Sequence, residues 1–335
     1  MDSKSGLSDI NWAELRRILS RYQQPSTWRS VWQLVNTLLP NLALLYLMYR
    51  SLQVSYLLTL ALSVLTAGFM ARTFIIFHDC GHGSFFQSRK ANDVTGIICG
   101  ILTLTPYYYW RHNHAIHHAT AGDLDRRGDG DVMTLTVDEF HSLPRLRQWW
   151  YRFFRNPLVM FTFGAFLLFT VGHRFYKRGT GKRERRSVQY TNIILVALIA
   201  GVISMIGWKA YLMIHVPVIF FMTSAGVWLF YVQHNFEGTY WERHERWDYF
   251  RAGLQGSSFY KLPAVLQWFT GNIGFHHIHH LNSRIPNYFL PECYRDNPEF
   301  HVKPLTLRSS LRSLHLRLWD EQNRRMVGFE ALRQS

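Results

Sequence analysis

Between Val54 and His82 the chain reads VSYLLTLALSVLTAGFMARTFIIFHDCGH, an apolar run that closes on two imidazoles, a carboxylate and a thiol. The apolar part, Val54 to Phe77, is long enough for a helix to cross a hydrocarbon core, which takes roughly 20 residues. Three other runs compare with it: about Val31 to Tyr49, Val188 to Ile206 and Tyr211 to Val232. Arg50 ends the first, a short SLQ leads into the second, and GWKA joins the later pair. Connections this short predict helical hairpins. The fold class expected is all-α: a multi-pass membrane protein with four transmembrane helices in two hairpins and a helical cytoplasmic cap.

Two further runs are ambiguous: DVTGIICGILTLTPYYYW (Asp93 to Trp110), which Gly and Pro interrupt, and PLVMFTFGAFLLFTVGHRF (Pro157 to Phe175). If the second crossed the bilayer, the Lys and Arg block at 177–186 would lie opposite the His-rich segments, against the positive-inside tendency. Both are therefore expected to be re-entrant or interfacial. Four crossings leave the N terminus, residues 78–187 and everything after 233 in the cytoplasm. An integral membrane location, with both termini and the His-rich segments on the cytoplasmic side, is expected.

The ends read as surface-bound. Ile10, Leu15, Ile18, Leu19 and Tyr22 suggest an interfacial helix near the start. Leu307, Leu311, Leu314 and Leu318, with Arg308, Arg312 and Arg317 between them, suggest a basic helix on a bilayer or against the cytoplasmic domain. The organisation expected is an N-terminal interfacial segment (1–30), a membrane domain (31–300) and a basic amphipathic tail (301–335). Residues 1–30 carry charge throughout and lack a short apolar segment before a small-residue cleavage site, so no secretory signal is expected.

The chain has 335 residues, 48% of them apolar, so it can bury a sizeable core. Lys and Arg outnumber Asp and Glu by 37 to 22, with the excess in blocks beside apolar runs. That placement favours an anionic membrane surface, and no nucleic-acid motif accompanies it. Cys80, Cys99 and Cys293 are too scattered for a disulfide framework and read as reduced thiols.

Of 17 histidines, eight fall into three short clusters. His78 and His82 are four apart; His114, His117 and His118 are related as i, i+3, i+4, and His276, His279 and His280 repeat that relation. On a helix this spacing gathers side chains on one face. Eight imidazoles exceed the needs of one zinc ion, so two metal ions are the economical reading, and imidazole suits iron, zinc, copper or nickel. His234, in YVQHNFEGTYW, is a ninth candidate. Partners that fix the second ring nitrogen are expected among Asp79, Asp123, Asp125, Glu237 and Asn272. His112, His141, His173, His215, His244, His277, His301 and His315 are assigned no ligand role; for His215 a helix-to-helix hydrogen bond is expected. The acidic loop GDLDRRGDGD (Gly122 to Asp131) lacks calcium-loop spacing and reads as a solvated or supporting loop.

With its boxes His78-Asp-Cys-Gly-His82, His114-Ala-Ile-His117-His118 and His276-His-Ile-His279-His280, the chain resembles the membrane fatty acid desaturases, whose hallmark is HxxxH, HxxHH and HxxHH. The contexts HHATAGDLDRRGDGDV, QHNFEGTYW and NIGFHHIHHLNSRIPNY are most similar to bacterial delta-12 (omega-6) acyl-lipid desaturases. The resemblance implies two non-haem iron ions held by the box histidines, with His234 completing the set. It also implies dioxygen, a membrane lipid acyl chain as substrate, and electrons from a separate ferredoxin or small b-type cytochrome, since no fused HPGG stretch occurs.

An alkyl methylene has no acidic proton and no leaving group, so side-chain acid-base or nucleophilic chemistry cannot attack it. A dioxygen-activating metal centre can. The acyl chain lives in the bilayer and the electron donor in water, so a centre at the end of a crossing meets both. Hydroxylases, ketolases and alkane monooxygenases of the same architecture are the alternative. A metal-ion transporter would instead place its histidines in mid-membrane, where only His215 is expected. A haem-bearing electron carrier would need histidine pairs on facing helices inside the bilayer.

Overall fold

The computed structural model describes residues 12–128 and 130–333. Ile10 of the expected N-terminal helix and Asp129 of the acidic loop lie outside the described residues. Helix α1 (Trp12–Ser20) buries Leu15 and Leu19, and Trp12 stacks on Phe250 with ring centroids 4.7 Å apart. Its apolar face is thus occupied by the protein's own core, where Leu254, Phe275 and Ile278 join Phe250.

Helices α2 (Thr27–Ser51) and α3 (Tyr56–His82) follow and pack side by side. The Ser26 hydroxyl accepts from the Arg29 N–H at the start of α2 and satisfies one of its orphan donors. Between the two helices the Ser51 and Thr59 hydroxyls meet at 2.7 Å, the small-polar type of contact common between helices in lipid. Helix α3 continues through the first histidine box and stops at Gly83, whose φ of +70° suits the left-handed end of a helix.

Asp93 to Trp110 is a helix-turn-helix. Helix α4 (Arg89–Leu102) leads to a turn and α5 (Tyr107–Thr120) leads away from it. At the turn Leu104 takes a φ of +58°, and its carbonyl accepts a hydrogen bond from Arg174. Next come α6 (Val137–Ser142), α7 (Arg145–Phe154), a π-helical stretch (Val159–Gly164) and α8 (Ala165–Thr170). The segment Val159–Arg174 is bent by 69° against α7.

Helices α9 (Lys182–Ile206) and α10 (Trp208–His234) are joined at Gly207, which has a φ of +81°. Among the described residues, α2, α3, α9 and α10 are the four helices long and apolar enough to cross a membrane. Helix α9 turns Ile193, Val196, Leu198 and Met205 outward, an apolar face that suits lipid. In place of the expected helix-to-helix bond, His215 Nδ1 bonds to the Tyr211 carbonyl of its own helix at 3.1 Å, and its ring stacks on that of Tyr211. The chain continues through α11 (Tyr249–Gln255), α12 (Ala264–Phe269), α13 (His276–Leu281), α14 (Leu290–Asp296) and α15 (Leu307–Ser310).

The fold is mainly helical, as expected, with five short strands added among the described residues. β1 (Leu135–Thr136) pairs parallel with β4 (Leu318–Asp320), which pairs antiparallel with β5 (Arg325–Val327). β2 (Tyr260–Lys261) pairs parallel with β3 (Leu305–Thr306). The tail is not one basic helix. After α15 it forms a 3₁₀ turn (Leu311–His315) and then β4. Leu316 and Trp319 are buried with Leu124 and Trp241, so tertiary packing overrides the helical spacing of the leucines.

Candidate metal centre

The histidine boxes sit where helices end or begin. His78 and His82 lie in the last turn and a half of α3, and His234 is the last residue of α10. His114, His117 and His118 ride on α5, and His276, His279 and His280 on α13. Two glycines allow the close approach. A Cβ at Gly81 would come within 2.9 Å of the Trp110 ring of α5. A Cβ at Gly274, just before α13, would collide with the Tyr260 carbonyl.

The nine imidazoles divide into two groups. His78, His82, His114, His118 and His279 form one; His117, His234, His276 and His280 form the other; within each, the available ring nitrogens all lie within 4.8 Å of one another. The groups share a wall, since the His118 and His280 rings stack at 4.1 Å. In the first, His118 Nε2 is 3.2 Å from His114 Nε2 and 3.1 Å from His279 Nε2. In the second, His276 Nε2 is 3.0 Å from His234 Nε2.

Neutral imidazole carries one N–H and one lone pair. Each ring nitrogen is thus either one donor or one acceptor, so three converging Nε2 atoms cannot all be paired with one another, whereas three inward lone pairs can share one cation. Several ring nitrogens lack a protein partner although fully buried, among them His82 Nε2, His117 Nε2 and His280 Nε2. Buried polar atoms in native proteins are nearly always paired. Burial, reinforced by the neighbouring imidazoles, pushes His114, His118, His276, His279 and His280 well below the ordinary imidazole range. These rings are neutral at pH 7 and keep the lone pair that a metal requires. Each group can hold one ion, and the donor set fits iron along with other imidazole-binding metals.

Each group also has one carboxylate arm. Asp79 Oδ1 accepts from His78 Nδ1 at 3.1 Å, and Asp131 Oδ1 accepts from His117 Nδ1. A carboxylate on Nδ1 fixes the tautomer and turns the Nε2 lone pair inward. Asp131 went unrecognised in the sequence although its loop was singled out. The signal was Gly130: its φ is +80° and a Cβ there would meet the Asn113 carbonyl and His117 Cβ, both at 3.0 Å. The glycine brings the loop against α5.

The other expected partners lie elsewhere. Asp123 Oδ2 bonds to His244 Nδ1 at 2.7 Å, Asp125 pairs with Arg243 at 2.8 Å, and Glu237 pairs with Arg312 on the surface. Asn272 donates to the Asn287 carbonyl at 3.1 Å, one layer farther out. As expected, His277 points away from the centre and bonds to the Phe300 carbonyl at 2.9 Å.

A family model described as fatty acid desaturase matches residues 54–309. A fatty acid desaturase of Bacillus subtilis is 47% identical over 321 residues, covering 96% of this chain and 91% of that protein. An acyl-lipid omega-3 desaturase (cytochrome b5) of the Arabidopsis thaliana endoplasmic reticulum is 30% identical, covering 66% of this chain and 58% of that protein. An sn-1 acyl-lipid omega-3 desaturase (ferredoxin) of Synechocystis is 26% identical, covering 65% of this chain and 61% of that protein.

Proposed function

The chain belongs to the fatty acid desaturase family, and from that premise we propose that it introduces a cis double bond into a lipid-linked acyl chain, at the Δ12 position of an oleoyl group. The observation that carries this reading is the convergence of nine imidazoles into two adjacent groups with unpaired inward nitrogens. Two iron ions are assigned to them, His78, His82, His114, His118 and His279 holding one and His117, His234, His276 and His280 the other. We place α2, α3, α9 and α10 across the bacterial cytoplasmic membrane as two hairpins, with both termini and the boxes in a cytoplasmic cap.

When bound, the metal pair supplies the dioxygen-activating chemistry by which two hydrogens leave adjacent methylenes; with two electrons and two protons from outside, one dioxygen becomes two waters. The protein's part is positional. Asp79 and Asp131 hold the Nδ1 protons of His78 and His117 and leave Nε2 for the metal. Trp110 stacks on His114 and meets Phe77 at a tilt, and His117 packs on Phe230; these rings wall the centre from water. Electrons come from a separate ferredoxin or small b-type cytochrome, the kinds of donor named for the two acyl-lipid relatives.

The test is expression in a host that makes monounsaturated but not diunsaturated fatty acids, with mass spectrometry of its lipids. New Δ9,Δ12 dienes with the intact chain and none with H117A or H279A are the expected result. A double bond elsewhere refutes the position, hydroxylated chains refute desaturation, and an unchanged profile from iron-loaded protein refutes the substrate.

A further inference from the structure

The carboxylate of Asp79 is held from behind. Its Oδ2 accepts from the Asn287 backbone N–H at 2.7 Å and from Asn287 Nδ2 at 2.8 Å, while Oδ1 faces His78 Nδ1. Asp79 and Asn287 are both 1% exposed, so these are charge-assisted hydrogen bonds in a dry setting. The orientation of the Asn287 amide is settled by its neighbours: a carboxylate only accepts, so the NH₂ faces Asp79, and Oδ1 is left to accept from Gln33 Nε2 at 3.1 Å. Asn272 fixes the same residue from another side through its carbonyl.

We infer that Asn287 is a positioning residue for the metal centre, the middle of a chain running from Gln33 and Asn272 through Asn287 to Asp79 and His78. With three donors on one carboxylate, Asp79 can neither rotate away from His78 nor pick up water. The His78 ring is held in the tautomer that presents Nε2 to its group. The chain also joins distant parts of the sequence. Gln33 lies in the second turn of α2, and beside it Ser30 bonds to the Phe85 carbonyl and to the Tyr288 hydroxyl, 3.1 Å away. The first long helix, the segment just after the first box and the Pro286-Asn287-Tyr288 stretch after the third box are thereby fastened together around one metal arm.

This inference rests on the reading of His78 as a metal ligand, and the experiment separates the two. Full-length protein in detergent is loaded with ferrous iron; iron per chain is counted, and its release to a chelator is timed for wild type, N287L and Q33L, with helix content and thermal midpoint alongside. Loss of a partner behind a metal ligand costs roughly 10- to 100-fold in affinity. The expectation is wild type with two irons, N287L releasing one of them at least tenfold faster, and Q33L in between, at unchanged helix content. Release from N287L at the wild-type rate overturns the inference. If N287L does not fold, Q33L decides, and a wild-type rate there overturns it. Wild type that binds no iron refutes the reading of the centre itself, whatever the variants do.

Discussion

His234 closes the last long helix and His276 opens the third box, 42 residues later, yet their Nε2 atoms stand 3.0 Å apart. The spacing of the boxes says nothing about this pair; the end of α10 aims His234 at the face of α13. His234→Ala removes one of four donors from its group. The expected outcome is loss of about half the bound iron with the fold retained, read by metal analysis and circular dichroism, and loss of all desaturation. Full iron content in the variant contradicts the assignment.

Asp131→Asn keeps an acceptor for His117 Nδ1 but removes its charge. Iron affinity is expected to fall roughly 10-fold or more, measured by competition with a chelator. The matched control is Asp125→Asn, whose partner is Arg243 at the surface; it leaves iron content and activity at the wild-type level.

Burial pushes His277 down to about 4 from an ordinary 6.5. The folded state therefore binds fewer protons than the unfolded one between those values. Stability from this group is complete above pH 6.5 and declines as pH falls toward 4, by roughly 3 kcal/mol at most. In metal-free protein, thermal midpoints measured across that window should fall more steeply for wild type than for His277→Gln. Parallel curves contradict the assignment.

Phe300 is fully buried in the cluster that holds Leu15, Phe275 and Ile278, and its carbonyl receives the His277 hydrogen bond. Phe300→Ala is expected to cost about 3–5 kcal/mol, seen as a large drop in thermal midpoint in detergent. A change under about 1 kcal/mol would mean that this cluster does not carry the stability of the histidine-bearing segment.

The long helices were legible because an apolar run near the length of a bilayer has few other solutions, and the boxes because i, i+3, i+4 spacing places side chains together in any helix. What escaped is nonlocal. Leu135 pairs with Leu318 across a two-residue strand, too short for period-two alternation to register. Leu318 itself was read as a helix position because its spacing from Leu314 is helical, while the strand that holds it is built from Leu135, far away in sequence, and from Val327, nine residues on. Asp131 was one of several carboxylates in an acidic loop, and only the close fit of Gly130 against His117 distinguishes it. Asn287 carries no charge, and its place at the end of NIGFHHIHHLNSRIPNY says nothing of what it touches, so its contact with Asp79 is visible only once the chain has folded.

The most direct test counts and identifies the metal in wild-type protein purified from cells grown in iron-replete medium, by elemental analysis together with Mössbauer spectroscopy of iron-57-enriched protein. Two irons per chain in two nitrogen-rich environments, one for each group of imidazoles, is the predicted result. A single zinc, or no bound metal in folded protein, contradicts it.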